Sequence, residues 1–202
     1  VEVCRHYRHY ILALLVLLAS AVASAGEPRI QVGVTPAGEG FTVEATIEAP
    51  VTQKTAWEVL VDYDHMTSIM SNLTLSKVLS RHDNTLVVRQ EGVAKYGLLS
   101  FSFESEREIQ LEPMKRIQSR TLSGTAKRME TETWLSQAGD GHGVQIKYHS
   151  EVVPGSSLAR MFGASALQQQ VEDQFRSMVA EMKKREPERP AVAAAQGNKP
   201  VN

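Results

Sequence analysis

The residues best suited to chemistry in this 202-residue chain lie on one strand-like stretch, residues 98–111. Phe101, Phe103, Ser105, Arg107, Ile109 and Leu111 alternate there with Ser100, Ser102, Glu104, Glu106, Glu108 and Gln110. The two sets must project from opposite faces of a strand. The glutamate face is solvated. Arg107 therefore shares its face with phenylalanines and aliphatics, where a cation needs a partner. One candidate partner is the anionic or carbonyl-bearing head of a bound molecule. The alternatives are a rim carboxylate, Glu130 or Glu132, or a bulge that turns the guanidinium outward.

Trp134 and Tyr148 each carry one polar atom on an apolar body. Tyr148 has the strand parity of Val144, Ile146 and Val152, so it either packs in a core or hydrogen-bonds a ligand. Trp134 keeps company with Arg128, Glu130 and Glu132. Either that face lines a polar cavity or the indole caps the outer surface. The expected cavity lining is Phe101, Phe103, Arg107, Trp134 and Tyr148 from strands, with Phe162, Leu167 and Val171 from a C-terminal helix.

Catalytic groups are sparse. His82 and His142 fall in turn sequence, and His149 is out of phase with the apolar face of its strand. His65, after Asp62-Tyr63-Asp64, is the one histidine placed for acid–base work, or else a surface residue. Asp140 and His142 have no third ligand spaced to complete a metal site. No serine sits in a nucleophile-elbow pattern, and no glycine-rich phosphate loop is present. No catalytic set, metal or cofactor is expected.

The elements that must position these residues follow from periodicity. Residues 30–34 and 41–47 alternate with period two around a Pro- and Gly-containing turn, which predicts a hairpin. Pro50 permits a helix to begin nearby, with Trp57, Leu60 and Val61 as its buried stripe. A short second helix is expected within residues 62–70. Strands are predicted over 75–80, 86–92, 98–111, 116–123, 129–137 and 144–153. The short turn-forming breaks between them imply an antiparallel meander. Residues 157–184 carry Leu158, Met161, Phe162, Leu167, Val171, Phe175, Met178, Val179 and Met182 largely on one stripe, a long amphipathic helix. The small residues Gly163-Ala164-Ser165-Ala166 either leave room beside the sheet or allow close packing. The predicted class is α+β: a curved antiparallel sheet wrapped around a long C-terminal helix, with one or two short helices after the first strands. Such a sheet and helix enclose a cavity, and apolar cavities in domains of this kind usually serve ligands.

The two ends read differently from the middle. Arg5, His6, Arg8 and His9 precede an apolar run at 11–19 and the small residues Ala23-Ser24-Ala25. This is the pattern of a secretory signal peptide of Sec type over 1–25, or of an uncleaved N-terminal anchor. Its apolar run is shorter than the roughly 20 residues a transmembrane helix needs. Cleavage would remove Cys4, the single cysteine, and with it disulfides and thiolate chemistry. It would also remove Arg5, Arg8 and Glu2, moving the formal net charge from −1 to −2. A near-neutral chain without a basic block is a poor nucleic-acid binder. Residues 186–202, rich in Pro, Ala and polar groups, read as a disordered tail. One domain over 26–185 is expected between them.

The stretch Ala49-Pro50, Trp57-Glu58-Val59-Leu60-Val61-Asp62-Tyr63-Asp64, Met70-Ser71-Asn72-Leu73 and Ser76-Lys77-Val78-Leu79 resembles the opening of START-like (SRPBCC) proteins. This is the helix-grip superfamily that includes polyketide cyclase/dehydrase-type and Coq10-type members. Glu132-Thr133-Trp134 and Tyr148-His149-Ser150 resemble later strand positions of that family. Where relatives often carry a proline before Asn-Leu, this chain has Ser71, expected to loosen the loop at the cavity mouth. The resemblance implies the fold and a pocket, but members bind sterols, phospholipids, quinones, hormones or polyketides, and some are enzymes, so fold alone does not select a ligand.

The expected function is noncovalent binding, carriage or sequestration, of a hydrophobic small molecule or lipid in the periplasm, with transient membrane contact. The alternatives are a cyclase/dehydrase-like enzyme on a polyketide-like substrate, or an interaction module with a solid core.

Overall fold

A computed structural model describes residues 27–96, 99–139, 141, 143–155 and 163–187. The expected signal peptide, most of the tail, Leu158, Met161, Phe162, Asp140 and His142 lie outside the described residues.

The predicted hairpin forms from β1 (Arg29–Ala37) and β2 (Gly40–Ala49), paired from Arg29↔Glu48 to Ala37↔Gly40. Its two-residue turn needs the φ of +58° that Gly38 supplies. Thr52 then caps α1 (Gln53–Leu60), its hydroxyl accepting from the Thr55 amide at 3.2 Å. The buried stripe of α1 differs from the expected one. Ala56, Val59 and Leu60 are its buried apolar residues, while Trp57 and Val61 flank them half-buried. The spacing i, i+3, i+4 is satisfied by the smaller residues, and an eight-residue helix cannot submerge a whole indole at its side. A 3-10 turn (Tyr63–His65) and α2 (Met66–Ile69) follow, as expected for residues 62–70.

The meander comprises β3 (Leu73–His82), β4 (Thr85–Tyr96), β5 (Leu99–Glu112), β6 (Arg116–Gly124), β7 (Ala126–Gln137) and β8 (Val144–Pro154). With the hairpin they make one antiparallel eight-stranded sheet in the order β1-β2-β8-β7-β6-β5-β4-β3. Register breaks lie between β3 and β4, between β5 and β6 at Glu106/Arg107, and between β7 and β8. Bulges of this kind strengthen twist and bend the sheet, so that one face becomes concave.

The last element, α3 (Ala164–Arg185), packs against β1, β2 and α1. Gly163 caps it in an extended conformation, φ −70° and ψ 166°, and residues 157–162 of the expected helix lie outside the described residues. Val171, Phe175, Met178, Val179 and Met182 form its buried stripe, and Lys183, Lys184 and Arg185 complement the negative end of its dipole. The core joins this stripe to Val43 and Ile47 of β2, Leu86 and Val88 of β4, and Val144 and Ile146 of β8.

Candidate ligand cavity

Between the concave face of the sheet and α3 the core opens into a cavity of about 270 Å³. Phe101, Phe103 and Arg107 of β5 line it, with Tyr148 of β8 and Leu167 and Val171 of α3. Leu60, Tyr63, Met66 and Met70 close the end near α1 and α2. Met66, Met70, Met129 and Met178 all contribute wall, and their flexible thioethers let such a wall adapt to different shapes.

Trp134 corrects the expected lining. It lies on the opposite face of β7, 37 % exposed, flanked in register by Arg116 and Lys147. In β7 the small polar residues Thr131 and Thr133 turn inward and are buried, so the large side chain at the alternate parity goes out.

Arg107 points inward despite the neighbouring bulge, because the extra residue is Leu122 of β6, which is passed over between Glu106↔Ser123 and Arg107↔Thr121. No carboxylate pairs with Arg107 among the described residues; Glu132 is engaged by Gln118 and Glu130 by Arg128 instead. The Nη2 group of Arg107 donates to Gln90 Oε1, and Nε is buried without a partner. Gln90 is held in turn: its amide donates to Ser76 Oγ at 3.0 Å, and Ser76 donates to the Tyr63 carbonyl at 2.5 Å.

Two phenols share this region. Burial pushes Tyr63 up to about 12, against the opposing pull of the Arg107 charge. Burial also raises Tyr148, opposed by the Ser150 hydroxyl and Arg107. Both are neutral hydrogen-bond donors at ordinary pH. Tyr148 also meets Phe175 edge to face, with centroids 5.3 Å apart at 73°, joining β8 to α3. Ser150 Oγ is fully buried, and no hydrogen bond of good geometry reaches it.

Sequence reasoning missed a polar belt across the inner face. Gln90, Ser119, Thr131, Thr133 and Ser150 are buried on strands between β4 and β8, and Ser119 bonds Thr131 at 2.7 Å. The signal was available as small polar residues at inward parity on otherwise apolar strands. Tyr63, absent from the expected lining, also borders the cavity.

The histidines stand apart. His65 is exposed, its Nδ1 bonded to Asp62 at 2.7 Å. His149 lies on the outer face beside Glu44 at 2.6 Å, and His82 beside Asp83. A wider depression of about 510 Å³ on the outer face is lined by Glu108, Arg120, Glu130, Glu132, His149 and Glu151. Arg120 pairs with Glu108 at 2.9 Å and Arg128 with Glu151 at 3.3 Å, Glu132 accepts from the neutral Gln118 amide, and the depression reads as a solvated surface.

Comparison with solved structures places this arrangement. TTHA0849 from Thermus thermophilus superposes with a TM-score of 0.61 at 14 % identity, covering 71 % of this chain and 97 % of that one. A STAR-related lipid transfer protein from Xanthomonas axonopodis gives 0.58 at 11 %, covering 81 % and 97 %. The Zhui aromatase/cyclase from Streptomyces sp. R1128 gives 0.54 at 15 %, covering 78 % and 96 %. At these identities the likeness is one of fold, the helix-grip architecture. No functionally curated protein matches the sequence significantly. Residues 47–178, from the end of β2 to the middle of α3, match the family model described as polyketide cyclase/dehydrase and lipid transport, and the chain belongs to that family.

Proposed function

We propose that the chain binds a hydrophobic small molecule or lipid noncovalently in this cavity, to carry or sequester it in the bacterial periplasm. The carrying observation is a partly open space in the core, walled by Phe101, Phe103, methionines and aliphatics, where a tighter core would be more stable. Each methylene a ligand buries there is worth about 0.8 kcal/mol. The lipid transfer protein among the structural neighbours supports the same reading. The compartment rests on residues 1–25 alone, whose basic, apolar and small-residue segments suit export. Entry requires the 62–70 segment or α3 to move aside.

An enzyme of the aromatase/cyclase kind is the second reading, supported by the Zhui neighbour and by two neutral phenols beside Arg107. Such groups can polarise a carbonyl. The histidine best placed by sequence to move a proton, His65, is instead exposed and held by Asp62.

The test is to express the full chain in a bacterial host, purify it without detergent, denature it and analyse the extract by mass spectrometry. One hydrophobic molecule per chain is the expected result. An empty protein that also fails to bind the neutral fluorophore N-phenyl-1-naphthylamine would remove the pocket reading.

A further inference from the structure

We infer that the cavity is built for a small monoanionic acid, a carboxylate with a single chain or ring system, and not for a neutral molecule or a two-chain lipid. This rests on the binding reading above and names its ligand class.

Charge comes first. A cation facing an apolar cavity without a counter-ion is unfavourable unless something compensates it. Gln90 satisfies one Nη2 hydrogen of Arg107 and, being neutral, supplies no charge. The Ser76 bond fixes that amide with its oxygen toward the guanidinium, leaving Nε–H buried and unused. The remaining donors form the planar fork that a carboxylate accepts in two parallel bonds.

The surroundings point the same way. The phenols of Tyr63 and Tyr148 sense the Arg107 charge and stay protonated. Glu104, at the cavity wall, is engaged by Arg89 at 3.3 Å. The polar pole of the cavity therefore offers donors, and the group that suits it is an acceptor bearing negative charge. Among the described residues Arg107 is the one cation in the lining. One cation balances one negative charge, which favours a carboxylate over a phosphate monoester of about −1.5 to −2.

Volume sets the rest. At about 270 Å³ the cavity lies at the small end of the roughly 300–1,000 Å³ range of ligand sites, the scale of one medium-length chain or a small ring system. It does not hold two long acyl chains.

The experiment uses the full chain, stripped of lipid, and follows displacement of N-phenyl-1-naphthylamine by decanoate, decanol, decyl phosphate and dioleoyl phosphatidylglycerol. Decanoate is expected to bind about tenfold or more tighter than decanol, and tighter than the other two. In Arg107→Met the decanoate-to-decanol ratio collapses toward one, and Arg107→Lys gives an intermediate ratio because charge survives without the fork. Equal affinity for decanoate and decanol in the wild-type protein overturns the anion assignment while leaving the pocket reading standing. Stronger binding of decyl phosphate or phosphatidylglycerol overturns the single-charge or the size limit, respectively. A fluorophore that never binds removes the pocket reading itself. The wild-type series decides the question even where the Met variant does not fold.

Discussion

Arg185 Nη1 donates to Asp62 Oδ2 at 2.7 Å, fastening the last turn of α3 to the segment that closes the cavity. The same carboxylate accepts from His65 Nδ1, and Arg185 Nε bonds Glu181 at 2.7 Å. One residue on, Glu186 receives the Thr52 amide at 3.0 Å at the start of α1. Asp64 accepts from the Val78 amide at 2.9 Å and ties the segment to β3. The closing segment is thus clamped from two sides by polar contacts at the surface.

Acid should release that clamp. Burial raises the Asp62 carboxyl, but the hydrogen bonds from His65 and Arg185 outweigh it and hold the group below its ordinary value of 3.8. Glu181 is lowered chiefly by its bond to Arg185. A depressed carboxylate contributes stability above the unfolded-state value and loses it as pH falls through the folded one. Asp62→Asn is therefore expected to lower Tm by a few degrees at neutral pH, from a loss of about 1 kcal/mol. The gap between variant and wild type should close below about pH 4. Thermal melts across that range test it, and a gap that persists at low pH contradicts the clamp.

Alkali acts through Tyr63. Its phenol ionises at about 12 when folded and at 10.0 in its ordinary state. Stability from this group is full below about pH 10 and declines as pH rises toward about 12, because the unfolded chain gives up the proton first. Tyr63→Phe should blunt the fall of Tm over that window. Below about pH 10 both states keep the phenolic proton, so the pH-dependent difference from wild type should vanish there. A variant with the same alkaline profile as wild type would place the titration elsewhere.

Trp134 offers a control. Neither it nor Trp57 lines the cavity among the described residues. Trp134→Phe should change fluorophore affinity by less than about twofold, the range of ordinary surface substitutions. A larger loss would return the indole to the ligand site.

The fold was legible because its strands are bounded by unmistakable turn residues and its inward positions alternate. Ile109 and Arg107 share a face by parity alone, and β5 places both as expected. Parity is harder to read at β7, where the inner residues Thr131 and Thr133 are polar, as are Glu130 and Glu132 on the other face. Met129 and Leu135 mark the inner face by the same parity, but the hydroxyls between them weaken the signal, and the large aromatic Trp134 reads as an inward residue. The same chemistry obscured the belt of Gln90, Ser119 and Ser150: strand parity points these residues inward, but the bonds that satisfy a buried polar group lie on other strands. The environment of Tyr63 depends on Arg107, forty-four positions away in sequence, and only the closed sheet brings them together.

Gly92 carries a further constraint that the alternating pattern of β4 conceals. A Cβ there would lie 2.3 Å from the Asn72 carbonyl oxygen and 2.7 Å from Phe103 Cζ. Glycine thus lets β4 pass close to the backbone of residue 72, whose carbonyl accepts from the Val93 amide at 2.8 Å, while the Phe103 ring lines the cavity wall. Both separations are shorter than real Cβ contacts, so Gly92→Ala must displace the ring and also part β4 from the residue 72 backbone. The Asn72 backbone is held by that bond, so the ring is the freer of the two, and its displacement is into the cavity. The expected cost is about 1–3 kcal/mol of stability, typical of overpacking, with weaker binding of N-phenyl-1-naphthylamine as the cavity shrinks. Coupling Gly92→Ala to Phe103→Leu separates the two effects. If the ring is the obstacle, the double variant recovers fluorophore binding relative to Gly92→Ala; if binding stays low, the shift of the strand and not that of the ring sets the loss.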